Sequence, residues 1–305
     1  MKNLKYAFCL NLLMLLFSCA PDISTHEKNQ TNLFYPKANE TTANAIYADD
    51  GRRDLYEITN PNYIKWAKSS VGLVWSQNIE VKQDHALLKG PSFGSSYNLC
   101  SDEKFYNQPS VPNCSGSLIG SDLVLTAGHC VEKAGACDSL YIVFGFNILT
   151  KQQVLYPFKV KSTDLYRCKK VLRAVNDLFG ADYAVIQLDR AATTHTPLQY
   201  RKSGEVKVNE SLLLIGHPSG LPTKITIGGA VTENEANLPY FKANVDAFSR
   251  NSGSPVINAK TGVIEGVLSR GITDFKYANG CYRPNICTVA NCRGEDITKA
   301  TVIRF

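Results

Sequence analysis

Cys114-Ser-Gly-Ser-Leu-Ile-Gly-Ser-Asp-Leu-Val-Leu-Thr-Ala-Gly-His-Cys130 sets two short apolar runs on either side of a Gly-Ser-Asp break and ends on a histidine beside a cysteine. Short runs rich in Leu, Val and Thr, bounded by turn residues, read as β-strands. The same rhythm extends outward in both directions. Ser70-Val-Gly-Leu-Val-Trp75 lies upstream; Leu140-Tyr-Ile-Val-Phe144, Tyr183-Ala-Val-Ile-Gln-Leu188, Ser211-Leu-Leu-Leu-Ile215 and Val263-Ile-Glu-Gly-Val-Leu268 lie downstream. Clusters of Gly, Pro, Asn, Asp and Ser separate them, which is the pattern of an all-β barrel or sandwich. No long helical periodicity interrupts it, and a short helix is expected only near Glu295–Arg304.

The chain has 305 residues, 44% hydrophobic and 20% charged, with a formal net charge of +6. These are ordinary values for a globular protein. Its longest basic clusters are the pairs Arg52-Arg53 and Lys169-Lys170. Pairs read as solvated surface, so nucleic acid is not an expected partner.

The N-terminus reads as an export signal. Lys2 and Lys5 precede an apolar run from Tyr6 to Phe17 that only Asn11 interrupts. The run is too short for a membrane-spanning helix and fits a signal-peptide core. Cleavage after Ala20 would meet Pro21, which resists ordinary signal cleavage. Leu16-Phe17-Ser18-Cys19 resembles a bacterial lipobox, whose cysteine becomes lipid-modified. Two outcomes stay open: a lipoprotein anchored to the cell envelope through Cys19, and a soluble export product. Residues 1–19 are therefore expected to be a signal peptide, and 20–45, rich in Thr, Asn, Lys and Glu, a spacer or propeptide. Residues 46–305 carry the folded domain.

Eight cysteines remain beyond Cys19: Cys100, Cys114, Cys130, Cys137, Cys168, Cys281, Cys287 and Cys292. An even number in an exported chain reads as disulfides. Zinc is the competing reading for the last three, but they lack the short Cys-x-x-Cys spacing.

Three motifs carry chemistry. Thr126-Ala-Gly-His-Cys130 ends a strand on a histidine, Ala181-Asp-Tyr-Ala-Val-Ile-Gln-Leu188 opens a strand with an aspartate, and Asn251-Ser-Gly-Ser-Pro255 puts a serine in a tight turn. A serine hydroxyl needs a base to take its proton. Histidine can do so, and a buried carboxylate fixes the histidine tautomer and stabilises the imidazolium. Each motif alone reads as an ordinary turn or strand end. In the order His129, Asp182, Ser252, at separations of 53 and 70 residues, they are hard to obtain by chance.

At these residues the chain resembles the chymotrypsin-like (trypsin-like) serine peptidases. Cys114 to Cys130 is similar to that family's histidine-loop segment, and Gly266-Val-Leu-Ser-Arg-Gly271 to its substrate-pairing strand. Closer still are the bacterial relatives of the glutamyl endopeptidases. Their Asn-Ser-Gly-Ser-Pro turn matches, Ile46-Tyr-Ala-Asp-Asp-Gly-Arg52 is similar to the start of their mature chains, and Gly216-His-Pro-Ser-Gly220 is a weaker likeness. The resemblance implies two packed six-stranded antiparallel β-barrels, the first over about 66–190 and the second over about 205–290. It implies a serine endopeptidase with Ser252 as nucleophile, His129 as base and acid, and Asp182 as the orienting carboxylate. The backbone N–H groups of Arg250 and Ser252 would form an oxyanion hole. Ser269 would hydrogen-bond Asp182, residues Ser269, Arg270 and Gly271 would bind substrate as an added strand, and Cys114 would pair with Cys130. Asp246, six residues before Ser252, stands where trypsin-like enzymes bind Lys or Arg. Protein or peptide substrates are the expected partners, with no cofactor, no metal and a monomeric chain.

The sequence departs from the family at three positions. Arg250 stands where the family has glycine, Asn251 replaces the aspartate that pairs with a newly freed N-terminus, and Leu268 replaces the histidine by which glutamyl endopeptidases recognise Glu. Arg250 motivates a second reading, a catalytically weak homologue serving as an envelope binding module. No His-Glu-x-x-His cluster supports a metallohydrolase. His26, His85, His195 and His217 lack a partner pattern and read as surface or loop residues.

Overall fold

The stretches of four to twelve residues that read as strands close into two barrels in the computed structural model, which describes residues 46–47, 49–153, 155–271, 273–287 and 293–305. Residues 1–45, including Cys19 and the expected signal and spacer, lie outside the described residues, as do His26 and Cys292.

The first barrel contains β1 (Ser70–Trp75), β2 (Cys114–Leu118), β3 (Leu123–Thr126), β4 (Leu140–Val143), β5 (Leu165–Asn176) and β6 (Asp182–Leu188). Its strands run in the order β5-β6-β3-β2-β1-β4, and β4 closes back on β5. The second contains β7 (Ser211–Gly216), β8 (Lys224–Glu233), β9 (Tyr240–Ala243), β10 (Pro255–Asn258), β11 (Ile264–Arg270) and β12 (Glu295–Lys299). Their order is β7-β10-β11-β12-β9-β8, and β8 closes on β7. All neighbours in both barrels are antiparallel. This is the double barrel that the resemblance implies.

Each barrel has its own apolar filling. Val71, Leu73, Val124, Ile142, Phe144 and Ile186 fill the first, and Leu212, Leu214, Val231, Phe241, Val256 and Ile297 the second. A third cluster joins the two, with Leu125, Tyr183 and Val185 from the first barrel against Val267, Ala300 and Ile303. Burying these side chains is the dominant favourable term in folding. Strands buried on both faces read as continuous apolar runs, which is why they were conspicuous in the sequence.

The C-terminal stretch corrects two expectations. Glu295–Lys299 is a fully buried strand, and only Ala300–Val302 forms a single 3-10 turn. The second barrel consequently runs to Lys299 rather than ending near 290. A seven-residue helix does occur at Pro61–Ala67. Asn60 caps it by accepting from the Asn62 N–H, and Pro61 occupies its first turn. That is the favoured starting chemistry.

Three disulfides pin this arrangement: Cys114–Cys130, Cys137–Cys168 and Cys100–Cys281. The last spans 181 positions of sequence. Cys287 is disulfide-bonded as well.

Candidate active site

Strand β3 ends at Thr126, and the chain turns through a 3-10 segment, Gly128–Cys130, that carries His129. Strand β6 begins at Asp182, opposite Asn176 on β5 and two residues before Ala184, which faces Thr126 on β3. The register thus brings the start of β6 beside the end of β3. The Asp182 carboxylate, 1% exposed, accepts the Gly128 N–H at 2.6 Å and the His129 N–H at 3.1 Å on Oδ1. Its Oδ2 lies 2.6 Å from His129 Nδ1. Three N–H partners leave little of the carboxylate's acceptor capacity unused. With Nδ1 engaged as donor, Nε2 is the ring nitrogen left for a proton from elsewhere. Gly128 is required by close approach, because a Cβ there would stand 1.9 Å from the Val175 carbonyl oxygen and 3.1 Å from Asp182 Oδ1.

The far side of Asp182 is braced from the second barrel. Its N–H donates to Thr298 Oγ1 at 3.0 Å, and its carbonyl accepts the Ser269 hydroxyl at 3.2 Å. Ser269 and Thr298 are themselves joined at 2.5 Å. Ser269 therefore reaches the backbone of Asp182 and not its carboxylate.

Ser252 lies in the turn leading into β10, and that turn is clamped to the first barrel by Ser115 on β2. The Ser115 N–H donates to the Ser252 carbonyl at 2.9 Å, and its hydroxyl donates to the Arg250 carbonyl at 3.2 Å. Cys130 Sγ, next to His129, is 3.8 Å from the same Ser252 oxygen. The histidine loop and the serine turn are thus in contact across the barrel boundary. Within the turn, Asn251, Gly253 and Ser254 donate their backbone N–H groups to Phe248, Leu268 and Asn251 carbonyls. The N–H groups of Arg250 and Ser252 have no hydrogen-bond acceptor among the described residues. Arg250 sits at φ 65°, the left-handed conformation that glycine adopts freely and other residues at a cost. Its guanidinium donates to Ser110 Oγ at 3.2 Å. The Asn251 side chain accepts the Ser254 hydroxyl at 2.7 Å, so it locks the turn internally.

Beside Ser252 lies a cavity of about 470 Å³ with apolar walls from Ala247, Phe248 and Leu268. Arg270, Gly271, Asp274 and Glu295 also border it. Asp246 does not. Its carboxylate accepts the Tyr47 N–H at 2.7 Å and the Gly51 N–H at 2.6 Å, and so faces the 46–53 segment. The expectation that it forms the base of the substrate pocket is thereby corrected. The segment packs Ile46 on Phe248 and pairs with β8, and its free N–H groups capture the nearest carboxylate. Burial raises the Asp246 carboxyl to about 6, against the pull of those two N–H groups. Asp274 and Glu295 are the acidic residues of the cavity that the sequence did not single out. Each is far in sequence from the serine turn and carries no motif.

His217 is a loop residue, between Gly216 and the turn at Pro218–Gly220, and it is buried. Its Nδ1 lies 2.9 Å from the Leu221 carbonyl, and burial lowers its pKa to about 4. His195 stacks on Phe144 and contacts Asp164, and His85 contacts Asp84. Cys114, His129 and Cys130 cluster within ligand distance of one another, but the two sulfurs are bonded together and are not thiolate ligands.

Among known proteins, the model of the trypsin-like peptidase domain matches residues 114–267, half of the chain, and takes in His129, Asp182 and Ser252. No curated protein matches the chain. The structure is similar to a Glu endopeptidase solved in complex with MPD (18% identity, 84% of this chain and 94% of that one, TM-score 0.47). It is also similar to the VesB protease of Vibrio cholerae (16%, 80% and 64%, 0.48) and to HBP solved at atomic resolution (14%, 83% and 92%, 0.50). At such identities the likeness concerns the fold. The matched domain, with the double barrel around it, makes this chain a member of the trypsin-like peptidase domain family.

Proposed function

We propose that the chain is a serine endopeptidase that hydrolyses peptide bonds through Ser252, His129 and Asp182. The observation that carries this reading is the Asp182 carboxylate, which is saturated by Gly128 N–H, His129 N–H and His129 Nδ1 within a buried seat. A carboxylate held in that way fixes the imidazole so that Nε2 accepts the serine proton. Ser252 Oγ attacks the substrate carbonyl as His129 takes that proton. The oxyanion of the tetrahedral intermediate is received by the N–H groups of Arg250 and Ser252, the two in the turn without an internal acceptor among the described residues. His129 then gives its proton to the leaving amine, and an acyl-enzyme on Ser252 remains. Water, deprotonated by His129, releases the acid. The left-handed backbone at Arg250 supports a formed hole, because it is the conformation a glycine would supply there.

The disulfides favour an oxidising setting outside the cytoplasm. Attachment through a lipidated Cys19 remains part of this reading, as does a monomeric enzyme acting on protein or peptide substrates. A fluorophosphonate should label Ser252, and Ser252→Ala should lose both labelling and peptide hydrolysis, the latter by on the order of 10⁶-fold. An undiminished rate in that variant would end the assignment.

A further inference from the structure

We propose that Ser110 and Ser219 are positioning residues for the oxyanion hole: they hold the Ser249–Arg250 peptide in the orientation that leaves the Arg250 N–H to the substrate. The inference rests on the endopeptidase reading above, and adds to it the device by which an arginine stands in for a glycine.

Arg250, at φ 65°, occupies a backbone region that is costly for any residue with a Cβ. Strain of this kind persists only where the surroundings over-determine it. Here both ends of one residue, Ser219, do so. Its N–H donates to the Ser249 carbonyl at 2.7 Å. A carbonyl and the N–H that follows it point to opposite sides of one planar peptide, so a fixed Ser249 oxygen aims the Arg250 N–H the other way. The Ser219 carbonyl accepts the Ser110 hydroxyl at 2.7 Å, and the same Ser110 oxygen accepts from the Arg250 guanidinium at 3.2 Å. Backbone and side chain of the turn are therefore held through one pair of serines. Ser219 is itself fully buried and left-handed, at φ 53°. Gly220 keeps the seat open: a Cβ there would stand 3.0 Å from Ser110 Oγ and 3.1 Å from Arg250 Nη1. The Gly216-His-Pro-Ser-Gly220 segment thereby gains a task.

Ser110 is anchored outside the serine turn. It belongs to residues 91–111, which lie between β1 and β2 in sequence and fold back on themselves. The Phe93 and Ser110 N–H groups donate to the Gln108 and Pro91 carbonyls at 2.7 and 2.9 Å, and the Val111 N–H donates to the Gly220 carbonyl at 2.7 Å. Tyr97, in the same excursion, sets its ring 5.9 Å from the Arg250 guanidinium carbon and its hydroxyl 3.4 Å from Ser249 Oγ. An aromatic face attracts a guanidinium at such a distance. The Cys100–Cys281 disulfide ties the excursion to the hairpin formed by Phe275–Ala278 and Cys281–Pro284. Phe275 of that hairpin packs on Tyr97 and on Phe248, two residues before Arg250. A glycine at 250 would need none of these holds, and an arginine needs its backbone and its side chain held together.

Steady-state kinetics of the full chain on a fluorogenic peptide that it cleaves supply the test. Ser110→Ala removes both hydrogen bonds of the hydroxyl. It should lower kcat by about 10- to 100-fold, less than the full loss of one hole donor, with KM kept within about threefold. In the Arg250→Gly chain, whose glycine adopts the left-handed conformation freely, adding Ser110→Ala should lower kcat by less than about threefold. An unchanged kcat in Ser110→Ala overturns the inference. So does an equal loss in both backgrounds, which is what a merely structural role predicts. Thermal melting checks that each variant is folded. If Ser110→Ala is not, Arg250→Met decides, because it keeps the Cβ and loses the guanidinium. Its kcat should lie about tenfold or more below that of Arg250→Gly, and equal rates overturn the inference. Fluorophosphonate labelling of the unaltered chain reads the nucleophile separately. Labelling and hydrolysis that are indifferent to Ser110 sink the positioning alone. Absence of both in the unaltered chain sinks the endopeptidase reading, and the positioning with it.

Discussion

Asp182 on the first barrel and Glu295 on the second are both buried carboxylates, yet their surroundings are opposite in kind. Asp182 is held by three N–H partners from the histidine loop. Glu295 holds one tyrosine hydroxyl and leaves an oxygen without a partner. A saturated carboxylate is fixed in place and orients its neighbour. An unsaturated one bears the cost of a buried oxygen left without a partner. The first is held from three sides; the second leaves one oxygen without a partner among the described residues.

The strongest way to break this contrast is at Asp182. In Asp182→Asn the amide nitrogen must oppose either an N–H of the loop or the donor at His129 Nδ1. Turnover should fall by about 10⁴-fold, with substrate affinity largely kept. Steady-state kinetics on a peptide substrate would measure both. A loss below about tenfold would mean that saturation of this carboxylate matters only for folding.

Asp246 sharpens the contrast as the intermediate case, with two N–H partners and a carboxyl still raised by burial to about 6. The folded-state value exceeds the ordinary 3.8, so the folded form holds the proton more tightly than the unfolded chain does. The stability this provides is complete below about pH 4 and is lost as pH rises through about 6. The change amounts to about 3 kcal/mol. Denaturant midpoints measured from pH 4 to pH 7 should show this decline, and Asp246→Asn should flatten it. An unchanged slope in that variant would assign the decline to other groups.

The smallest effect is expected at Arg250. Replacing it with glycine preserves the left-handed backbone and removes a side chain anchored to Ser110. Turnover should change by less than about tenfold, and stability by about 1 kcal/mol. A gain of about 100-fold would instead mean that the arginine holds the oxyanion hole closed in the resting protein.

The residues grouped around Asp182 were legible in the sequence because each sits in a short contiguous motif at a strand end. The likeness of those motifs to a known family also carried the fold. The buried acidic strand beside the cavity was not legible. Glu295, Asp296 and Lys299 look like the polar face of a terminal helix, but each is buried in a strand held between β11 and β9. The β-branched residues Ile297 and Thr298 argued for a strand, and the charges hid that signal. The orientation of Asp246 depends on Tyr47 and Gly51, 199 and 195 residues away, a pairing that no local pattern records. Spacing to the serine turn predicted where its backbone lies and nothing of where its side chain points.

Thr298 gives the architecture a schedule. It holds the backbone of Asp182 from a position 116 residues downstream, on the strand that also bears Glu295. A chain emerging from its amino end has His129, Asp182 and Ser252 in hand well before that strand arrives. Until then the second barrel has a gap between β11 and β9, and Asp182 lacks its brace. The brace on Asp182 and one wall of the cavity beside Ser252 therefore arrive together, with one late segment.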